Sequence, residues 1–282
     1  MAATGLWRRH ASSELFTGLR VTFWERSHAR FARFLKLPWL HNHAQDRYFR
    51  VLRGEITPGV RWLDLGCGHQ LVPDWAAPVS EQRAVAARAR YLAGADVDVP
   101  ALRSNPFVRH RIVSLGDHLP FADDSFDFVS ANMVVEHLAH PEPIFREIFR
   151  VLSSGGRFLF HTPNRLYPYI FLATLIPDGI KVKIIWLLER RADVDVFKTY
   201  YQANTVKQIC ALAARTNFEV THISVGGSVG VFGLIGPLGL LELPFLKLLT
   251  LRPLNRFNAT IITILTKPGR SSNGDTGGQT DV

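Results

Sequence analysis

The stretch RWLDLGCGHQ, residues 61–70, decides the fold. An apolar run ends at Asp64, and Gly66 and Gly68 then bracket Cys67. A glycine turn directly behind a strand lets backbone approach a ligand at the carboxyl edge of a sheet. The dinucleotide fingerprint Gly-x-Gly-x-x-Gly needs a third glycine to pack helix on strand, and Leu71 stands at that place. Asp64 beside a pyrophosphate would be repelled, whereas beside an ammonium group it would be attracted. The local chemistry favours a cationic or zwitterionic ligand.

Outward from this turn, short apolar runs alternate with helical patterns. Strands are expected at 60–65, 93–97, 111–115, 126–132 and 157–162, with later ones at 218–225 and 257–267. PEPIFREIFRVLSSGG (141–156) reads as a helix with Ile144, Phe145, Ile148, Phe149 and Leu152 on one face, closed by Gly155 and Gly156. A second helix covers 204–216, capped by Asn204 or Thr205. Such alternation implies a mainly parallel sheet with helices on both faces.

Composition narrows the classes. The 282 residues suffice for one good core. Two cysteines, Cys67 and Cys210, exclude a disulfide framework and a cysteine-rich zinc site. The net charge is +9, with ten Arg and Lys between residues 8 and 55 against Glu14, Glu25, Asp46 and Glu55. Such a segment suits a solvated helical face or an anionic surface. The first twenty residues lack the apolar core of a secretory signal, so a cytoplasmic location is the expectation.

WLDLGCG, GADVD, GDHLPFADDSFDFVSANMVVEHL and REIFRVLSSGGRFLFHTPN occur in order over about residues 58–164. Together they resemble the class I S-adenosylmethionine-dependent methyltransferases, most of all the type 11 methyltransferase domain family. The resemblance implies an α/β fold: a Rossmann-like sandwich, mainly parallel with an antiparallel last strand. It implies S-adenosyl-L-methionine as the methyl donor. Asp64, Gly66 and Gly68 match the motif that holds the methionine part of the donor, and Cys67 is counted with them. Asp96 matches the acid that bonds the ribose hydroxyls, with Asp98 a nearby competitor. Asp117 matches the acid near the adenine amine, with the backbone of His118 and the side chain of Leu119 beside the ring. Asn132, closing the fourth strand, completes the donor-site set. Many relatives carry a further glycine near position 70; Gln70 should alter the turn or narrow the pocket.

Some family members carry Glu-x-x-Glu-His in the next segment and bind a divalent cation. Here the first Glu position is Met133, ahead of Glu136, His137 and His140. A thioether is a poor ligand for Mg²⁺, so no metal is expected. A hydroxyl acceptor needs a base within hydrogen-bond reach. His161 is the first candidate, His137 the second, with a purely structural histidine as the standing alternative.

The domain reading is a helical extension over 1–57, a methyltransferase domain over 58–267 and a disordered tail over 268–282. Two apolar inserts, at about 163–199 and 227–256, leave strands at their carboxyl ends and should lie on the acceptor side. They suit a lipid-like acceptor or an anionic membrane surface, or equally a lid or dimer interface. The expected reaction is methyl transfer to a small or lipid-like acceptor, at oxygen in preference to nitrogen or carbon. The alternatives are a nicotinamide-dependent oxidoreductase and a silent donor-binding module on the same fold. No nucleic-acid partner is expected, since SANM replaces a base-methylation motif after the fourth strand.

Overall fold

The computed structural model describes residues 44–175, 198–227 and 237–269. Most of the predicted extension (1–43), much of both inserts (176–197 and 228–236) and nearly all the tail (270–282) lie outside the described residues.

Seven strands form one sheet in the order β3-β2-β1-β4-β5-β7-β6. They are β1 (Arg61–Leu65), β2 (Tyr91–Asp96), β3 (His110–Val113), β4 (Phe126–Asn132), β5 (Leu152–Pro163), β6 (Glu219–Gly226) and β7 (Thr260–Thr266). The first five run parallel, and β7 is antiparallel to both β5 and β6. The order reverses between β1 and β4, and in such sheets ligands sit outside the carboxyl ends at that point.

Strict alternation along the central strands sorts side chains onto two faces. Leu63, Val129, Phe158 and Phe160 face one side and meet Phe145 and Ile148 of α4 (Pro141–Val151) and Ile209 and Leu212 of α6 (Val206–Arg215). Trp62, Phe128, Leu159 and Ile262 face the other, against Tyr48, Phe49 and Leu52 of α1 (Ala44–Glu55) and Val85 of α2 (Val79–Ala86). α1 therefore belongs to the sheet's own core, although the sequence reading assigns it to an extension.

Caps fix the helix starts. Thr205 caps α6, accepting a bond from the amide of Gln208, while Asn204 turns away to Thr162 Oγ1 and the Pro163 carbonyl. Asp98 caps α3 (Val99–Ser104) through the amide of Ala101 at 3.0 Å. The helix expected over 141–156 stops at Val151, and Leu152 already opens β5. Gly155 and Gly156 close no helix; both pair with Lys267 across the sheet.

The remaining helices are α5 (Pro168–Leu175) and α7 (Pro237–Leu248), one in each insert. They pack on each other: Tyr167, Tyr169 and Ile170 meet Leu243, Leu246 and Leu249. Their other sides carry apolar residues to the surface, Phe171, Leu172 and Leu175 on α5 and Leu248 and Leu251 at the end of α7. No helix among the described residues is long and apolar enough to cross a membrane.

Candidate active site

At the carboxyl edge, the glycine turn opens onto a cavity of about 460 Å³. Gly66 and Gly68 form its floor, with φ +64° and +45°, backbone that side chains rarely adopt. A Cβ on Gly66 would lie 2.3 Å from Val134 Cγ2, whereas one on Gly68 would meet nothing within 4 Å. The turn thus needs a glycine at 66 for packing and leaves open space above 68.

Asp96 ends β2 on the cavity wall, half-exposed. It accepts the amides of Gly68 and Asp98, each at 2.8 Å, so one carboxylate ties the turn to the strand end. Asp98 is spent on its helix cap. Val97, Ser114 and Leu115 continue the wall beyond Asp96. Asn105, buried and absent from the sequence reading, donates to the carbonyls of Cys67 at 2.9 Å and Gly68 at 3.1 Å, bracing the turn from below.

Several residues expected at the donor site lie elsewhere. Asp64 sits beneath the turn, 5% exposed, accepting a bond from Ser130 Oγ. Ser130 in turn accepts from Trp62 Nε1 at 2.7 Å. Burial pushes the Asp64 carboxyl up to about 7, opposed by the Ser130 bond and helped by the negative Asp96. The Cys67 side chain turns away from the cavity to pack with Leu102 and Val108, and burial raises its thiol. Leu119 does not flank the cavity: its side chain is in the core and its amide donates to Glu147 Oε1 at 2.7 Å. Asp117 and His118 point to solvent, and the His118 carbonyl is taken by Ser114 Oγ at 3.0 Å. The chain leaves β3 at Val113 and reaches the cavity with Ser114 and Leu115, earlier than the motif suggests. Gln70 is not on the wall, so it does not narrow the cavity.

The two histidines separate. His161 is 1% exposed, stacked on Tyr48 with ring centroids 5.6 Å apart, and paired through Nδ1 with Asn132 Oδ1 at 2.9 Å. Asn132 also donates to Gln45 Oε1 at 2.8 Å and the Leu71 carbonyl at 3.1 Å. Both lie off the cavity wall, as part of a polar layer sealed by α1. The physical reason is strand phase: His161 shares the face of Leu159, which packs on α1. His161 is thus a structural histidine, and its expected role as acceptor base is corrected.

His137 does line the cavity, with Met133, Val134 and Leu138. Its Nδ1 lies 3.1 Å from the Lys198 carbonyl. Lys198 and Tyr200, which the sequence reading does not name, complete the rim from the far end of the first insert. The amides of Tyr200 and Tyr201 donate to the Glu136 carbonyl at 2.7 and 3.2 Å, and Lys198 Nζ lies 5.1 Å from the Tyr200 ring centre. Glu136 is 2% exposed and its side chain accepts from Thr162 Oγ1 at 3.0 Å; burial pushes its carboxyl up to about 7. Among the described residues no group of three His, Cys, Asp or Glu could hold a metal ion.

Residues 63–160 match the sequence family described as "Methyltransferase domain". The chain is 32% identical over 155 residues to the sterol 24-C-methyltransferase of Schizosaccharomyces pombe, covering 51% of this chain and 39% of that protein. It is 32% identical over 130 residues to a ubiquinone biosynthesis O-methyltransferase of Xanthomonas oryzae, covering 43% of this chain and 54% of the other. The matched stretches thus span about half the length of these relatives or less. A solved S-adenosylmethionine-dependent methyltransferase from Mesorhizobium loti shares the fold, with a TM-score of 0.51 and 19% identity over 80% of this chain and 99% of that one. The family match and the missing third glycine together decide against the nicotinamide alternative. Residues 63–160 thus match the methyltransferase domain family, within a fold shared with a class I S-adenosylmethionine-dependent methyltransferase.

Proposed function

We propose that the chain transfers a methyl group from S-adenosylmethionine to a small lipophilic acceptor, at a hydroxyl oxygen. The observation that carries the reading is the carboxyl-edge cavity, with Gly66, Gly68 and Asp96 on one side and His137 on the other. The residues present fit the donor. The open space above Gly68 admits the methionine part, the Asp96 carboxylate suits two ribose hydroxyls, and Val97 and Leu115 offer apolar surface to a purine. Asp64, beneath the turn, supplies negative potential to an ammonium group once it is ionised.

The donor, when bound, supplies a methyl carbon on a positively charged sulfur, already activated for displacement. The protein's share is therefore largely positioning. Asp96 and the glycine turn fix one partner. His137, with its ring ordered by the Lys198 carbonyl, is placed to take the proton of an acceptor hydroxyl.

The apolar faces of α5 and α7 support a lipophilic acceptor. Among the described residues 163–175 and 237–256, Arg165, Lys247, Arg252 and Arg256 stand against one acid, Glu242, which is buried. That combination suits an anionic bilayer surface on the cytoplasmic side, from which such an acceptor would be drawn. The names of the relatives divide between carbon and oxygen methylation; His137 in the cavity favours oxygen.

The test is incubation of cell extract with a methyl-labelled donor, followed by separation of lipid and aqueous products. Label in the lipid fraction, reduced about 10²-fold or more by His137→Gln, is expected. Label confined to aqueous products overturns the acceptor class. Donor binding without any labelled product identifies a silent binding module instead.

A further inference from the structure

A second cavity, of about 370 Å³, lies at the opposite, amino edge of the sheet, between the end of α2 and the starts of β2 and β3. Among the described residues, Arg83, Arg90, Arg109 and His110 line it, and no Asp or Glu does. None of the three arginines has a carboxylate partner among the described residues. The one acid on α2, Glu81, lies 3.7 Å from Arg53 instead. Two ring contacts order the walls: Tyr91 stacks on His110 at 4.4 Å, and the Arg83 guanidinium lies 5.9 Å from the Phe107 ring centre.

Three cations around one concavity repel each other, and a cleft lined by one sign of charge attracts counter-ions. No described residue lining the cavity offsets that repulsion; an entering anion would. Guanidinium forks match the oxygens of a phosphate two at a time, which a lone ammonium cannot do. The pocket is concave and small, a shape for a compact ligand rather than for a duplex backbone.

We propose that this pocket binds the phosphate group of a small ligand, a phosphomonoester or diphosphate, through Arg83, Arg90 and Arg109. It stands at the far end of the strands from the donor cavity, so it is independent of the methyl-transfer reading. A soluble ester and a phospholipid headgroup present the same group, and the experiment separates them.

Pyrophosphate is titrated calorimetrically into the full chain at constant ionic strength maintained with sodium chloride. In parallel, flotation is measured with phosphatidylcholine vesicles, with and without phosphatidic acid. Saturable binding of pyrophosphate at one site per chain is expected, weakened about ten-fold or more by R90Q or R109Q. Affinity for S-adenosylhomocysteine should be unchanged in both variants, showing that they fold. If the natural source is a headgroup, phosphatidic acid-dependent flotation is lost in the same variants and competed by pyrophosphate. The proposal is overturned if neither probe binds saturably, or if binding survives R83Q, R90Q and R109Q combined.

Discussion

Gly66→Ala tests the geometry of the donor turn most directly. The new methyl would meet Val134 Cγ2 at 2.3 Å and Cγ1 at 3.3 Å, while Val134 Cβ would lie at an ordinary 3.4 Å. Two costs follow. Holding alanine at φ +64° costs about 1–2 kcal/mol, and relieving the overlap costs about 1–3 kcal/mol more. Val134→Ala removes both clashing methyls; on its own it costs about 1–2 kcal/mol of lost burial. The double variant should recover the overlap but not the backbone strain. It should therefore be more stable than the sum of the single effects predicts, by about 1–3 kcal/mol. Urea denaturation of the four proteins gives this coupling if the slopes agree. Calorimetry with S-adenosylhomocysteine should show donor affinity lowest in Gly66→Ala and partly restored in the pair. Additivity within about 0.5 kcal/mol would refute the claim that Val134 is what forbids a side chain at 66.

Further outcomes follow from the buried acids and the turn. Asp96→Ala removes the acceptor shared by the amides of Gly68 and Asp98, so donor affinity should fall about ten-fold or more by calorimetry; unchanged affinity would remove Asp96 from the donor site. Glu136 has its folded pKa raised from 4.5 to about 7, so its favourable contribution is complete below 4.5 and lost as pH rises through about 7. The loss amounts to about 3 kcal/mol, and Glu136→Gln should flatten that part of the stability–pH curve measured by denaturation. Asp64, raised to about 7, ionises over the same window, and an ammonium group is attracted only to its charged form. Donor affinity should therefore climb as pH rises through about 7, and Asp64→Asn should abolish the climb. His161→Phe should lower the thermal midpoint, by breaking the Asn132 pair, while leaving the pH profile of turnover unchanged.

Most of the fold was legible because the central strands read as short continuous apolar runs, as at Trp62 and Leu63 or Phe158 and Leu159, alternating with helical patterns. The glycine turn was legible for a local reason: backbone conformation and ligand approach are both written in Gly66 and Gly68. His161 was misread because its place at the carboxyl end of the fifth strand does not tell which face its ring points to, or which face is sealed. Only the packing of Tyr48 decides that. Lys198 and Tyr200 escaped notice because they reach the rim through the Lys198 carbonyl beside the His137 ring and the Tyr200 amide on the Glu136 carbonyl, more than sixty positions away. Their residue types carry no sign of that pairing. Leu119 was misplaced by four or five residues of chain path, since β3 ends at Val113 and Ser114 and Leu115 already meet the cavity.

Tyr48 lies fifteen residues before the segment that matches the methyltransferase family. Yet its buried ring covers His161, and its hydroxyl shares a bond with Ser130, the residue that holds Asp64. The unit that inheritance has kept recognisable is thus smaller than the unit that folds. A fragment cut at the limits of the family match would lose Trp62 itself, wet Asp64 from the α1 side, return its carboxyl toward the ordinary range and strip Phe128 of its cover. Grafting or minimising this domain has to begin upstream of α1, because the electrostatics of the donor turn are set from there.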